Sequence, residues 1–379
     1  MKITIISAHE GAATWVRLFR FIDETTRYDI RSFHQYDDNG YRSARSAWKR
    51  FVLRIETFAI FPLRFMLHSE RISKESDLLL VVTSPFFMPA LASVVTKRKN
   101  IKIISLMNDI YPEALVAKGM VRRGGAVERF IKKAFSSAFL KMESVVFITD
   151  HHRVLVSRGV GVPFKSVVIP VSAYSDPFQN TPPSSVEGSI QITYCGTLGL
   201  MHDTATFFEW FDSVDDRENL RFVFHTSGTC KQKFEAEVRM RTEKRQFRPK
   251  VLLGDALKEA EWVVLMRASQ VGLVFQDKDS ADVIFPSKVA SILASGQAVL
   301  VVADRSSELA RLIADHDCGW VVQPNDIENF SRCIAALLQP DVLLRKRNNA
   351  FVLGQKFFGK DAVAAQWVQL FDSVLLDAA

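Results

Sequence analysis

Short runs of aliphatic and β-branched residues recur along the chain, each followed by turn-forming residues and then by apolar positions at helical spacing. In the first half these runs are 3–6, 78–82, 102–106 and 145–148; in the second they are 190–194, 220–224, 251–253, 271–275, 299–302 and 319–322. Strands that are apolar throughout have no face to offer water, so strands of this kind alternating with helices predict parallel sheets covered on both sides. The longest apolar stretch, 78–95, approaches membrane-spanning length, but Thr83-Ser84-Pro85 and Pro89 interrupt it. A strand, a turn and a helix are therefore expected there. Near the end of the chain, Val363, Trp367, Leu370, Phe371 and Val374 recur at a spacing that predicts one or two terminal helices.

Residues 174–189, rich in Pro, Ser and Asn, separate the two series and read as an exposed linker. A chain of 379 residues exceeds the size at which one core stops growing. The expected fold is α/β, with two Rossmann-like parallel-sheet domains of similar size, 1–180 and 181–355, followed by a terminal segment 356–379. Ligands of open parallel sheets bind beyond the carboxyl ends of the strands, so two such domains facing each other predict a cleft.

Composition narrows the class. A hydrophobic fraction of 48% fills two cores, and 24% charged residues excludes disorder, collagen and a coiled coil. The excess of 49 Lys+Arg over 42 Asp+Glu favours acidic partners without naming them. No recognition motif accompanies the charge, which argues against nucleic acid. Cys195, Cys230, Cys318 and Cys333 are widely spaced and form no C-x-x-C pair. They read as reduced thiols of a cytosolic protein, not as a disulfide framework or a zinc site. Met1 to Ser7 has too short an apolar run for a signal peptide and reads as a first strand.

The segment with the clearest chemistry is 285–300. Pro286 and Ser287 suit a helix entry, and Gly296 suits a left-handed end before the apolar run 298–302. Lys288 puts a cation in the first turn, where the helix dipole favours an anion. Either a phosphate sits between this lysine and the free backbone N–H groups, or Lys288 is an ordinary solvated residue.

In order, these pieces resemble bacterial glycosyltransferases of the two-Rossmann-domain (GT-B) type, particularly family 4 members of capsule, exopolysaccharide and O-antigen synthesis. The glycine loop Gly196-Thr197-Leu198-Gly199 follows a strand. The Pro286-Ser287-Lys288 helix ends at Gly296, and Glu308-Leu309, Cys318-Gly319 and Pro324-Asn325-Asp326 come after it. Asn108-Asp109-Ile110-Tyr111-Pro112-Glu113 is similar to the Asp-x-x-Pro-Glu segment of these enzymes.

The resemblance implies that a UDP- or GDP-linked sugar binds the second domain, that an acceptor binds the first, and that the terminal helix crosses back onto the first. Donor contacts then fall on Gly196, Thr197, Gly199, Pro286, Ser287, Lys288, Ser291 and Glu308. Lys288 would stabilise the leaving diphosphate. Asp109 would act as base or orienting group for the acceptor hydroxyl, or simply cap a helix. His9, Gly11 and Asn108 lie on the acceptor side, where a lone His is as readily structural. No cofactor is implied, and neither is a metal, since His151-His152 lacks a third ligand. The family commonly has glutamates at the positions of Val283 and Ser291, and cations in the loop where Thr197 and Met201-His202-Asp203 stand.

Arg42, Arg45, Lys49, Arg50, Arg54 and Arg64 are interspersed with Trp48, Phe51, Phe58 and Phe61. A second group, Arg122, Arg123, Arg129, Lys132, Lys133 and Lys141, surrounds Phe130, Phe135 and Phe139. Such interleaving predicts either a surface lying in a membrane interface or amphipathic helices whose basic face is merely solvated. With the resemblance, the expectation is a metal-independent, retaining glycosyltransferase peripheral on the cytoplasmic side of the inner membrane. It would move a sugar onto a glycan carried on polyprenyl diphosphate, in surface polysaccharide synthesis. The rival readings are a catalytically weak or inactive partner protein, motivated by Ser291, and a sugar-nucleotide epimerase on the same fold.

Overall fold

The computed structural model describes residues 1–9, 13–36, 47–96, 101–179, 181–185, 188–199, 201–214, 219–243, 250–278 and 283–376. The chain divides into two compact units, Met1–Ser172 together with Val363–Ala379, and Ala173–Ala362.

The first unit is built on a parallel sheet of β1 (Lys2–Ile6), β2 (Asp29–Phe33), β3 (Leu78–Val82), β4 (Lys102–Met107), β5 (Ser144–Phe147) and β6 (Ser166–Val168), in the order β2-β1-β3-β4-β5-β6. Strand order reverses between β1 and β3, where a doubly wound sheet opens a crevice at its carboxyl edge. Every residue of β3 is buried, which explains its unbroken Leu-Leu-Leu-Val-Val sequence. The terminal helix Lys360–Leu375 seals one face. Its Trp367, fully buried, meets Phe19 edge-on at 5.2 Å and Trp15 at 6.1 Å, and Phe371 meets Tyr28 at 5.3 Å.

The second unit carries β7 (Ile190–Thr197), β8 (Leu220–Ser227), β9 (Lys250–Gly254), β10 (Val271–Phe275), β11 (Ala298–Val302) and β12 (Gly319–Val322), in the order β12-β11-β10-β7-β8-β9. This is the Rossmann strand order, with its switch point between β7 and β10. Phe207, Trp210, Phe222, Phe224 and Phe330 pack into one aromatic core, with Trp210 stacked on Phe330 at 4.7 Å. Aromatic rings of this size dominate the burial that holds helices to the sheet.

Two features depart from the sequence pattern. Strands β2 and β6 lie at the two edges of the first sheet and are mostly half-exposed, so neither shows a continuous apolar run. The stretch 174–189 is not exposed throughout. Tyr174 and Phe178 lie 6.0 and 5.9 Å from Trp262, and Phe178 is fully buried, because its ring fills the second unit's surface beside that indole.

Candidate functional site

The second unit concentrates its unusual chemistry at the carboxyl end of β7, beside the switch point. Helix Lys288–Ala294 begins there, preceded by Pro286 and an exposed Ser287 whose side chain does not cap it. Ser291 lies one turn on and is half-buried, and Gly296 beyond the helix adopts φ +73°. The helix is seated by Gly354 of helix Pro340–Phe357. A Cβ on Gly354 would lie 2.3 Å from Ala294 N, so only glycine permits this backbone-to-backbone approach.

Lys288 as a residue keeps partial exposure, but its Nζ is shut off from solvent and has no hydrogen-bond partner among the described residues. The ammonium lies 3.7 Å from the centroid of the Tyr194 ring, a cation–π contact. Tyr194 is held from both sides. Its ring stacks on Phe275 at 5.3 Å, and its hydroxyl donates to the Thr197 carbonyl at 2.8 Å. Gly196 adopts φ +136°, a region closed to L side chains, and a Cβ placed there would stand 3.5 Å from Lys288 Nζ.

Burial sets the electrostatics. Loss of hydration pulls the Lys288 amine down to about 7, opposed only by the nearby Cys195. Burial in turn pushes the Cys195 thiol up to about 11, so it supplies no negative charge at neutral pH. His202, half-buried and ringed against Tyr194 at 6.4 Å, is pulled down to about 4 by burial and then by Lys288. Gly199 N–H donates to its Nδ1 at 3.1 Å. A buried cation with no counter-ion among the described residues, facing two neutral titratable neighbours, is an arrangement that an anion completes.

The remaining donor-side candidates are placed as follows. Thr197 is exposed at the end of β7, its hydroxyl 3.4 Å from Ser227 Oγ. Gly199 belongs to the same loop. Glu308 starts helix Glu308–Asp315, which Ser307 caps by accepting from Ala310 N–H at 3.1 Å. No hydrogen bond or ion pair joins Glu308 to Lys288 among the described residues.

In the first unit, His9 follows β1 and Asn108 and Asp109 follow β4, all at the carboxyl edge of the sheet. His9 bridges to Tyr36. Asp109 is solvent-accessible yet surrounded by protein, and the lost hydration raises its carboxyl, with Lys118 pulling the other way. Asp109 does not cap the following helix, Glu113–Ala117, whose cap position is Pro112. Gly11 lies outside the described residues. No group of three His, Cys, Asp or Glu fit to hold a metal occurs among the described residues.

The basic, apolar segment forms one continuous helical stretch, Ala47–Ile55, a π-helical turn Glu56–Ile60, and Phe61–Glu75. Trp48, Lys49 and Arg54 are exposed. Phe61 is not surface-facing as expected. It is fully buried 5.8 Å from Phe33, because it falls in a stripe at four-residue spacing with Thr57, Phe65 and Ser69 that packs on the sheet. Arg64 also turns inward, donating to Gln35 Oε1 and covering the Phe33 ring at 5.5 Å. The Arg50 side chain, Arg42 and Arg45 lie outside the described residues. In the second basic group, Lys132 is tied to Glu128 at 2.6 Å and to Glu113 at 3.5 Å.

Three contributors went unread in the sequence. Tyr194 looks like one more apolar strand residue, although its position two before the loop glycine is a usable signal. Cys195 and Gly354 give no signal at all, since their partners lie far away in the chain.

No family model matches the chain. It is 23% identical over 318 residues to the probable glycosyltransferase WbjE of Pseudomonas aeruginosa, spanning 81% of this chain and 77% of that protein. Among solved structures, sucrose-phosphate synthase from Thermosynechococcus elongatus matches with a TM-score of 0.71 and 15% identity, over 100% of both chains. Anabaena HepE, in complex with UDP and glucose, matches with a TM-score of 0.68 and 10% identity, over 98% of this chain and 100% of that one. The fold is therefore that of the GT-B glycosyltransferases, two parallel six-stranded sheets each covered by helices.

Proposed function

We propose that this protein is a retaining, metal-independent glycosyltransferase of surface polysaccharide synthesis. It takes the sugar from a UDP- or GDP-linked donor to a glycan on polyprenyl diphosphate, working peripherally at the cytoplasmic face of the inner membrane without a cofactor. The observation that carries the reading is Lys288, a buried ammonium with no counter-ion among the described residues, at the carboxyl end of β7 in a sheet of Rossmann order. The similarity to WbjE and to a structure holding UDP and glucose points the same way.

In this reading the bond from the sugar's anomeric carbon to the diphosphate breaks, and a bond from that carbon to the acceptor oxygen forms. The acceptor hydroxyl loses its proton, and Asp109 is the group proposed to orient or receive it. The leaving diphosphate gains charge, which Lys288 meets at a site where low hydration makes each interaction strong. Gly196 lets the loop backbone approach the donor closely. Ser291, able to hydrogen-bond a hydroxyl but carrying no charge, favours the second reading, a catalytically weak or inactive partner protein. Calorimetric titration with UDP- and GDP-sugars separates the two. A transferase binds at least one of them and loses that binding in Lys288→Ala, whereas a scaffold binds none.

A further inference from the structure

We infer that Gln276 is a further donor-side residue, its side-chain carbonyl accepting a hydrogen bond from a hydroxyl of the sugar to be transferred. The inference rests on the function proposed above and names the part of the donor that this side of the site reads.

Gln276 directly follows β10, and its N–H donates to the Val302 carbonyl at 2.9 Å, extending the pairing with β11 at the carboxyl edge of the sheet. The residue is only 3% exposed. Its Nε2 donates to the Ile284 carbonyl at 2.9 Å, which fixes the amide. Reversed, the amide would set Oε1 against that carbonyl, two acceptors face to face. With Nε2 committed, Oε1 is left without a partner among the described residues. Buried polar atoms are nearly always paired, so an acceptor held in this way calls for a donor.

Position distinguishes this atom from a mere packing defect. Gln297 is also buried with an unpaired Oε1, but it precedes β11 at the amino edge of the sheet, opposite the glycine loop. Gln276 is instead tied to the Lys288 site by three links. The ring of Phe275, the preceding residue, stacks on Tyr194, over which the Lys288 ammonium lies. Asp277, the next residue, donates its N–H to the Met201 carbonyl at 3.1 Å, in the loop that carries Gly199 and His202. Ile284, which the Gln276 side chain holds, stands four residues before Lys288, a reach of at most about 14 Å.

Chemistry selects the partner. A carbonyl oxygen only accepts, which excludes the phosphates that Lys288 attracts and requires an O–H or N–H. In this strand order the nucleoside lies over the half of the sheet with the glycine loop, its ribose at the end of the next strand. Here those strands are β7 and β8. Gln276 lies at the end of β10, across the switch point, so the group that reaches it is the one beyond the diphosphate, the sugar with its hydroxyls. A buried acceptor of this kind discriminates strongly, because a ligand lacking the matching hydroxyl leaves it unpaired.

The test is calorimetric titration of the full chain with UDP, GDP, UDP-glucose, UDP-galactose and GDP-mannose, then with the deoxyfluoro analogues of whichever sugar nucleotide binds. Fluorine takes the place of a hydroxyl but donates no hydrogen bond. In the parent, one analogue should bind about tenfold more weakly than the intact donor. In Gln276→Leu that difference should fall below about twofold, while sensitivity at the other positions stays. A residue that only clamps Ile284 would, when replaced, weaken nucleotide and sugar nucleotide alike and leave the pattern across analogues unchanged; that result overturns the inference. So does a parent to which every analogue binds as the intact donor does, a result that needs no variant to fold. Gln297→Leu, the same substitution at the opposite edge of the sheet, should keep the parent's pattern, and its abolishing the same difference would also count against Gln276. Binding of a sugar nucleotide without hydroxyl dependence fails this inference alone, whereas binding of no nucleotide fails the proposed function as well.

Discussion

Replacing Lys288 with methionine removes a buried ammonium while keeping an unbranched stem of similar size. Burial lowers the amine from 10.5 to about 7, so the unfolded chain binds this proton more readily than the folded one. Lys288 therefore opposes folding fully below pH 7, and the penalty disappears as pH rises towards 10.5. The gap of 10.5 − 7, about 3.5 pH units, corresponds to a ceiling of ~5 kcal/mol. At pH 7 the group is half-titrated and the penalty is ~4 kcal/mol, and by pH 9 it has fallen to ~2 kcal/mol. Lys288→Met should thus be more stable than the parent at pH 7, and its advantage should shrink by ~2 kcal/mol at pH 9. Urea unfolding of both proteins at the two pH values, followed by tryptophan fluorescence, measures this. The same variant should lose UDP binding, a trade of function for stability. A variant less stable than the parent at pH 7, or an advantage independent of pH, refutes the buried, unpaired lysine.

Three further outcomes follow from the same geometry. Because an anion beside Lys288 restores the ammonium, UDP binding should take up ~0.5 proton at pH 7 and ~0.9 at pH 8, read by calorimetry in buffers of different ionisation enthalpy; binding without uptake counts against Lys288 as the contact. Gly354→Ala forces a Cβ to 2.3 Å from Ala294 N, and should cost about 1–3 kcal/mol in urea unfolding and weaken UDP binding by shifting the Lys288 helix. Asp109→Asn should abolish transfer while leaving UDP affinity unchanged. In the parent, the activity that depends on ionised Asp109 should fall off at a higher pH than an ordinary carboxylate sets, because lost hydration raises this group.

The central strands were legible in the sequence because they are buried on both faces, and a strand such as β3 then has no polar position to break its run. The edge strands β2 and β6 were not, since partial exposure replaces that run with mixed residues such as Asp29, Arg31 and Ser32. The Pro286 to Gly296 helix was legible from its two ends. Its lysine's burial was not, because that depends on Tyr194 and Phe275, which are ordinary strand residues until the sheet brings them together. Phe61 was read as surface because its neighbours are cationic, whereas the contact that decides its position is Phe33 on another element. Local pattern thus located the pieces of the site, and long-range packing decided which side chains face inward.

The most direct measurement of the central claim is incubation of the purified chain with bacterial membrane extract and labelled UDP- and GDP-sugars. Label in the lipid-extractable fraction is followed together with released nucleoside diphosphate. The account predicts that one donor passes its sugar into the lipid fraction with an equal amount of nucleoside diphosphate, and that Lys288→Ala does neither. Donors left intact by the parent protein, or equal transfer by parent and Lys288→Ala, would contradict it.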